Sequence, residues 1–80
     1  MKKAEKSLIV ARVQKAETDW AAAEYLAACA KNGAHADGCK RGARAAWTEY
    51  TTLRSLANDL GVEVPSSPEA AAWWRRSSTL

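Results

Sequence analysis

Residues 29–39, CAKNGAHADGC, contain the side chains of this sequence that are best suited to chemistry. The segment holds both cysteines, Cys29 and Cys39, together with the single histidine, His35, and Asp37. As a metal site it would be C-x5-H-x3-C, whereas structural zinc sites bring four ligands in close C-x2–4-C or H-x3–5-H pairs. Three ligands and a poorly spaced aspartate argue against zinc, and we predict no metal ligand here.

Three other interpretations of the segment are open. A disulfide would need Cα atoms about 4.4–6.8 Å apart, and the helix pairing derived below separates Cys29 and Cys39 by more, unless it slips by one turn. Cys39 could instead be a reactive thiol, because it follows His35 by one turn and lies beside Lys40 near a helix start. We prefer the third interpretation, in which residues 33–38 form a turn and both thiols are small buried residues.

No catalytic motif occurs elsewhere in the chain. A glycine-rich phosphate loop, a GxSxG elbow and an HExxH helix are all absent from the sequence. The carboxylates have spacings typical of solvated helix faces rather than of an acid/base pair. They are Glu17, Asp19, Glu24, Glu49, Asp59, Glu63 and Glu69. We therefore predict that the protein is not an enzyme and has no cofactor.

Positive charge is concentrated in residues 31–44, although the whole chain carries a net charge of only +3. Four cations are the candidates for contacting phosphates: Lys31, Lys40, Arg41 and Arg44. A basic patch of this kind favours nucleic acid electrostatically. No aromatic stacking platform is evident beside these residues, which makes the pattern equally typical of ordinary charges at helix ends.

The C-terminal residues Trp73, Trp74, Arg75 and Arg76 are the candidates for binding a protein partner. Tryptophan and arginine are enriched at the energetic centres of protein interfaces. Adjacent helical residues lie about 100° apart, so one short helix has difficulty burying both indoles. We expect one indole to pack near Val10, Val13 and Leu60 and the other to be exposed for a partner, unless both pack within the chain.

Two heptad-like apolar patterns predict the elements that position these residues. In the first, apolar residues step 4-3-4-3-4-3 through Ile9, Val13, Ala16, Trp20, Ala23, Ala27 and Ala30. In the second, they step identically through Cys39, Ala43, Ala46, Tyr50, Leu53, Ala57 and Leu60. Asn32-Gly33 and Gly61 are natural helix ends, and Asp37 is a natural N-cap.

The fold class predicted is all-α, an antiparallel helical hairpin of residues 2–32 and 38–60 in a single domain of residues 1–80. Small residues face small ones near the tip, and farther along Trp20 faces Leu53 and Val13 faces Leu60. A capping box of Ser66 and Glu69 predicts a short third helix over residues 67–77.

The chain is poor in large apolar side chains, because 18 of its 80 residues are alanine and none is phenylalanine. A core this small gains from a partner surface, and we expect self-association, with a homodimer as its simplest form. The apolar run of residues 8–11 is too short for a signal peptide, and no stretch approaches a membrane span. We therefore expect a cytoplasmic protein with no membrane contact.

Function is predicted from this chain type rather than from a motif. We expect a non-enzymatic helical interaction protein that binds another macromolecule, a protein in the first place, and blocks or redirects it. Such chains are typical of phage and mobile-element inhibitors of bacterial host or defence complexes. The alternative is a dimeric nucleic-acid-binding hairpin whose basic tip, together with Arg54, contacts phosphates.

Overall fold

The computed structural model describes residues 2–30 and 33–79, and it confirms the predicted all-α hairpin with a short third helix. The helices are α1 (Lys3–Cys29), α2 (Gly33–Asp59) and α3 (Pro68–Ser78). The first two pack against each other along much of their length, and α3 packs on α1. Over the described residues, no helix is long and apolar enough to cross a membrane.

The start of α2 differs from the prediction. Residues 33–38, predicted as a turn capped by Asp37, form the first part of α2, and Asp37 lies inside the helix. Gly33 has φ of +76°, so this one glycine supplies the left-handed conformation at the helix start. Ala34 and Ala36 favour helix strongly, which lets α2 begin about five residues early. Asn32 of the predicted cap lies outside the described residues.

The pairing of α1 with α2 is offset by about one helical turn from the predicted one. Trp20 stacks on Tyr50, with ring centroids 5.2 Å apart and planes 18° from parallel. The predicted neighbour, Leu53, packs against the cluster formed by Val13, Ala57 and Val62. Patterns with a repeat of seven residues tolerate such a slip, because each step brings another apolar residue to the same face.

The end of α2 explains why Val13 does not pair with Leu60. Gly61 has φ of +72°, and the amide of Val62 donates to the carbonyl of Ala57 at 2.9 Å. This is the Schellman arrangement, which turns the residue after the glycine back over the last helical turn. Val62 therefore covers Val13, whereas Leu60 is 47% exposed. The helix stop predicted at Gly61 is confirmed.

The predicted capping box at the start of α3 is wrong in its residues. Ser67, not Ser66, is the N-cap, and its hydroxyl accepts a hydrogen bond from the amide of Ala70 at 3.2 Å. Position 70 would carry the glutamate of a capping box, but here it is alanine. Glu17 of α1 supplies the missing carboxylate and accepts a hydrogen bond from the amide of Ser67 at 3.3 Å.

Two more polar contacts hold the connector between α2 and α3 to α1. The hydroxyls of Thr18 and Ser67 lie 2.7 Å apart, and the side-chain amide of Gln14 donates to the carbonyl of Pro65 at 3.0 Å. Glu17, predicted to lie on a solvated face, is buried at this junction. Since a buried polar group is costly unless it is paired, these contacts specify where α3 begins.

Candidate binding groove

Both tryptophans of α3 pack against α1. The ring of Trp74 meets Trp20 edge-on with centroids 4.9 Å apart, and the ring of Trp73 lies 5.4 Å from Tyr25. Each indole is only partly exposed. The expectation that one would pack near Val10, Val13 and Leu60 while the other projected into solvent is wrong. The alternative, that both indoles pack within the chain, is the one observed.

Small residues explain how one short helix accommodates both indoles. Ala70 of α3 and Ala21 of α1 are completely buried, so the two backbones can approach closely there. Trp73 and Trp74, about 100° apart on their helix, then reach different aromatic residues of α1. The sequence carries this signal in the alanine run that precedes the two tryptophans.

The arginines of the tail are divided between packing and solvent. The guanidinium of Arg76 lies over the Trp73 ring, 4.9 Å from its centroid, in a cation–π contact. Arg75 is exposed. Binding of a partner by Trp73, Trp74, Arg75 and Arg76 stays a prediction.

The predicted basic tip is brought together on α2. Lys40, Arg41 and Arg44 line a shared depression with Asp37, and all of these side chains are exposed. Over residues 2–30 and 33–79, the one ion pair within 4 Å joins Lys15 and Asp19, at 3.1 Å. Lys31, the fourth predicted cation, lies outside the described residues.

Beside these cations lies an open groove of about 700 Å³ between α1 and α2, which we call the Trp47 groove. Its α1 wall is formed by Trp20, Glu24 and Ala27, and its α2 wall by Lys40, Ala43, Arg44, Trp47 and Thr48. The indole N–H of Trp20 donates to the Glu24 carboxylate at 3.2 Å. The groove thus has a floor of small residues, one carboxylate and a rim with two cations.

Trp47 is the functional candidate that the sequence analysis missed. It is 48% exposed, although tryptophan is the largest apolar side chain in the protein. Lys40, Arg44 and Trp47 step 4-3 along α2 and so share a face of the helix. That spacing is visible in the sequence, where Trp47 lies beside the second apolar pattern. An aromatic platform therefore does adjoin the basic residues, contrary to the prediction.

Arg54 continues the same spacing but is partly engaged within the fold. Its guanidinium donates to the hydroxyl of Tyr50 at 3.0 Å and lies 6.0 Å from the centroid of that ring. Because Tyr50 in turn stacks on Trp20, this arginine extends the aromatic packing between α1 and α2. Lys40 and Arg44 are the cations that border the groove itself.

The cysteines are free thiols in different surroundings. Cys29 is exposed, so the prediction of two buried thiols is wrong, and Cys39 is half-buried. The pKa of Tyr25 is raised, first by a hydrogen bond with Cys29, then by the negative charge of the Cys29 thiolate and by desolvation. The positive charge of Arg76 lowers it. Cys39 instead meets His35, with Sγ 3.8 Å from Nε2. Among the residues that the structure describes, no three potential metal ligands come together.

Comparison with known proteins gives no relatives: no protein-family model, curated protein or solved structure matches this chain.

Proposed function

We propose that this chain is a non-enzymatic binding protein whose Trp47 groove holds an acidic, partly apolar segment of a partner protein. The observation that carries the proposal is the exposure of Trp47 beside two cations, Lys40 and Arg44. A binding protein without catalytic groups acts by occupying its partner's surface. Blocking or redirecting that partner is the mode of action that we propose.

The exposed half of Trp47 is apolar area that such a complex would bury. A tryptophan buries about 150–250 Å² when fully covered, and tryptophan and arginine recur at energetic centres of interfaces. The floor residues Ala27 and Ala43 are small, which leaves room for a side chain of the partner next to the indole. We expect an aromatic or branched aliphatic side chain at that point.

Charge complementarity identifies the rest of the occupant. Lys40 and Arg44 have no carboxylate within 4 Å over the described residues, so a partner carboxylate could form charge-assisted hydrogen bonds with them. Glu24 on the opposite wall favours a hydrogen-bond donor, such as a backbone amide or a hydroxyl. A protein segment offers apolar, acidic and donor groups together, whereas a phosphate chain offers no hydrogen-bond donor to Glu24.

Selection from a random peptide library on the immobilised protein tests the proposal. We expect the selected peptides to combine Asp or Glu with an aromatic or aliphatic residue. Their affinity should fall at least about tenfold for Trp47→Ala and for Lys40→Glu, since central interface residues contribute more than about 1.4 kcal/mol. The matched controls Leu26→Ala and Lys6→Glu change exposed residues of α1 outside the groove and should bind normally. Peptides that bind Trp47→Ala as tightly as the wild type would contradict the proposal.

Binding of single-stranded nucleic acid is the second candidate, because an exposed indole next to Lys40 and Arg44 can stack on a base while cations contact phosphates. Titration with an oligothymidylate should then quench tryptophan fluorescence. With Lys40, Arg41 and Arg44 contributing, log Kobs should fall with log salt with a slope of about −2. Arg41 lines the depression beside the groove but not the groove, so Arg41→Glu should weaken oligonucleotide binding more than peptide binding.

The narrower expectations about partners stay predictions. A bacterial host or defence complex as target would be tested by affinity capture from the native host with a nuclease-treated control. Self-association would be tested by sedimentation of the purified chain. In the capture experiment Trp47→Ala should be compared with the wild type, because partner binding is assigned to that residue.

A further inference from the structure

We propose that His35 and Cys39 form one half of a site for a thiophilic divalent cation such as Zn²⁺, and that the same pair of a second copy completes it. The two residues are four apart on α2, so their side chains project from the same face, one turn from each other. Imidazole nitrogen and thiolate sulfur are the ligands that zinc prefers. This site is independent of the Trp47 groove.

The geometry of the pair fits a chelated ion. The Sγ atom of Cys39 lies 3.8 Å from Nε2 of His35. With a Zn–S distance of about 2.3 Å, a Zn–N distance of about 2.05 Å and a tetrahedral angle, the two ligand atoms would lie about 3.6 Å apart. The side chains would therefore need to move by only a few tenths of an ångström. His35 is exposed and Cys39 half-buried, so the ion can approach from solvent.

Neighbouring charges point away from the pair. At about 100° per residue, Asp37 lies near the opposite side of α2 from both His35 and Cys39 and is a poor third ligand. Lys40 is about 100° from Cys39, and Arg41 is about twice that, so their charges face other directions. The second thiol, that of Cys29, is exposed at the end of α1 rather than on α2.

A second copy supplies the ligands that one chain lacks. Structural zinc takes about four ligands, whereas no group of three comes together in the described part of this chain. Two His35–Cys39 pairs related by a two-fold axis supply two nitrogen and two sulfur ligands. The interface is then formed by the same surface patch of each copy. On binding, each thiol releases its proton to solvent, and the two thiolates balance the double charge of the ion.

Titration with Co²⁺ of the reduced, chelator-treated full chain tests the site, because tetrahedral cobalt reports thiolate ligands by its visible and ultraviolet absorption. We expect these bands to saturate at half an equivalent per chain, with a change from monomer to dimer in sedimentation. Zn²⁺ should then displace Co²⁺ and abolish the bands. His35→Ala and Cys39→Ser should each remove the bands and the dimer while leaving the helical circular dichroism unchanged.

The matched control is Cys29→Ser, which removes the other thiol and should leave the titration unchanged. Loss of the bands in this variant, or their persistence in Cys39→Ser, would overturn the assignment of ligands. Saturation at one equivalent per chain without a dimer would overturn the shared site, and so would a titration without thiolate bands. Peptide binding by the Trp47 groove is read separately, so the two proposals fail independently.

Discussion

The face of α1 that carries α3 and the Trp47 groove use similar residues in opposite ways. On the α3 face, tryptophans meet other aromatic rings, and Arg76 lies over Trp73. In the groove, Trp47 is about half exposed, and Lys40 and Arg44 lie beside it in solvent. Residue type alone therefore does not separate residues that stabilise the fold from those available to a partner.

The two regions differ in whether their polar groups have hydrogen-bond partners within the fold. The carboxylate of Glu17 bonds to the Ser67 amide, and Thr18 bonds to the Ser67 hydroxyl. The groove cations lack comparable carboxylate contacts over the described residues. A region whose polar groups are satisfied contributes to stability, whereas one with spare hydrogen-bonding capacity is where a ligand gains most.

The largest expected effect comes from comparing two tryptophan truncations. Trp20→Ala removes the contacts with Tyr50 and Trp74 and should lower the free energy of unfolding by about 3 kcal/mol. Trp47→Ala should lower it by only about 1 kcal/mol, since about half of this side chain is already exposed. Urea denaturation followed by circular dichroism measures both values. Equal losses for the two variants would show that Trp47 stabilises the fold as much as Trp20 does. The contrast between the α3 face and the Trp47 groove would then not hold.

The next effect concerns the buried polar junction. Glu17→Gln weakens the charge-assisted bond to the Ser67 amide and should lower the free energy of unfolding by about 1–2 kcal/mol. Glu63→Gln makes the same chemical change at an exposed position and is the matched control. Urea denaturation of both variants at neutral pH measures the difference between their free energies of unfolding. If Glu63→Gln costs as much, the loss reflects overall charge rather than the junction.

A gain in stability is expected at the basic tip. A Cβ at Gly42 would meet nothing within 4 Å, so Gly42→Ala should stabilise α2 by about 1 kcal/mol through helix propensity. Gly61→Ala is the contrasting variant and should destabilise by about 1–2 kcal/mol, because its φ of +72° is unfavourable for residues with a Cβ. Thermal denaturation should show a higher midpoint for Gly42→Ala and a lower one for Gly61→Ala. A loss on Gly42→Ala would reveal a close contact at the tip.

The smallest effect is the titration of Tyr25, measured by ultraviolet absorbance in a Tyr50→Phe background. Its pKa is raised by the hydrogen bond with Cys29, by the charge of that thiolate and by desolvation. Folding therefore favours protonated Tyr25, a contribution present below the unfolded pKa and lost as pH rises through the higher folded pKa. Cys29→Ala should lower the titration midpoint and Cys39→Ala should leave it unchanged. A midpoint unaffected by Cys29→Ala would mean that the thiol has no influence on Tyr25.

The sequence was sufficient for the number, type and order of the helices, because the two 4-3 patterns and the stop at Gly61 are local signals. It was insufficient for the pairing of α1 with α2. That pairing depends on the stack of Trp20 with Tyr50 and on how Val62 turns back over Val13, and both are contacts between distant residues. The early start of α2 came from alanine propensity outweighing a plausible cap at Asp37.

The candidate site was predicted in part. Lys40, Arg41 and Arg44 were found from charge and do share one surface. Trp47 was missed because a tryptophan beside an apolar pattern looks like a core residue, and its exposure depends on the small residues opposite. The buried role of Glu17 was not readable either, since its partner, Ser67, is 50 residues away in the sequence.

The direction of α3 has a practical consequence. Ser67 lies at Thr18 and Trp73 at Tyr25, so α3 runs alongside α1 in the same direction. Lys2 and Thr79 therefore sit toward opposite ends of a molecule that is 47 Å long. Anchoring the protein to a sensor surface through its Lys2 end leaves the groove facing the flowing analyte. A fluorophore or purification tag attached beyond Thr79 would instead lie at the same end of the molecule as Cys29 and crowd the Trp47 groove.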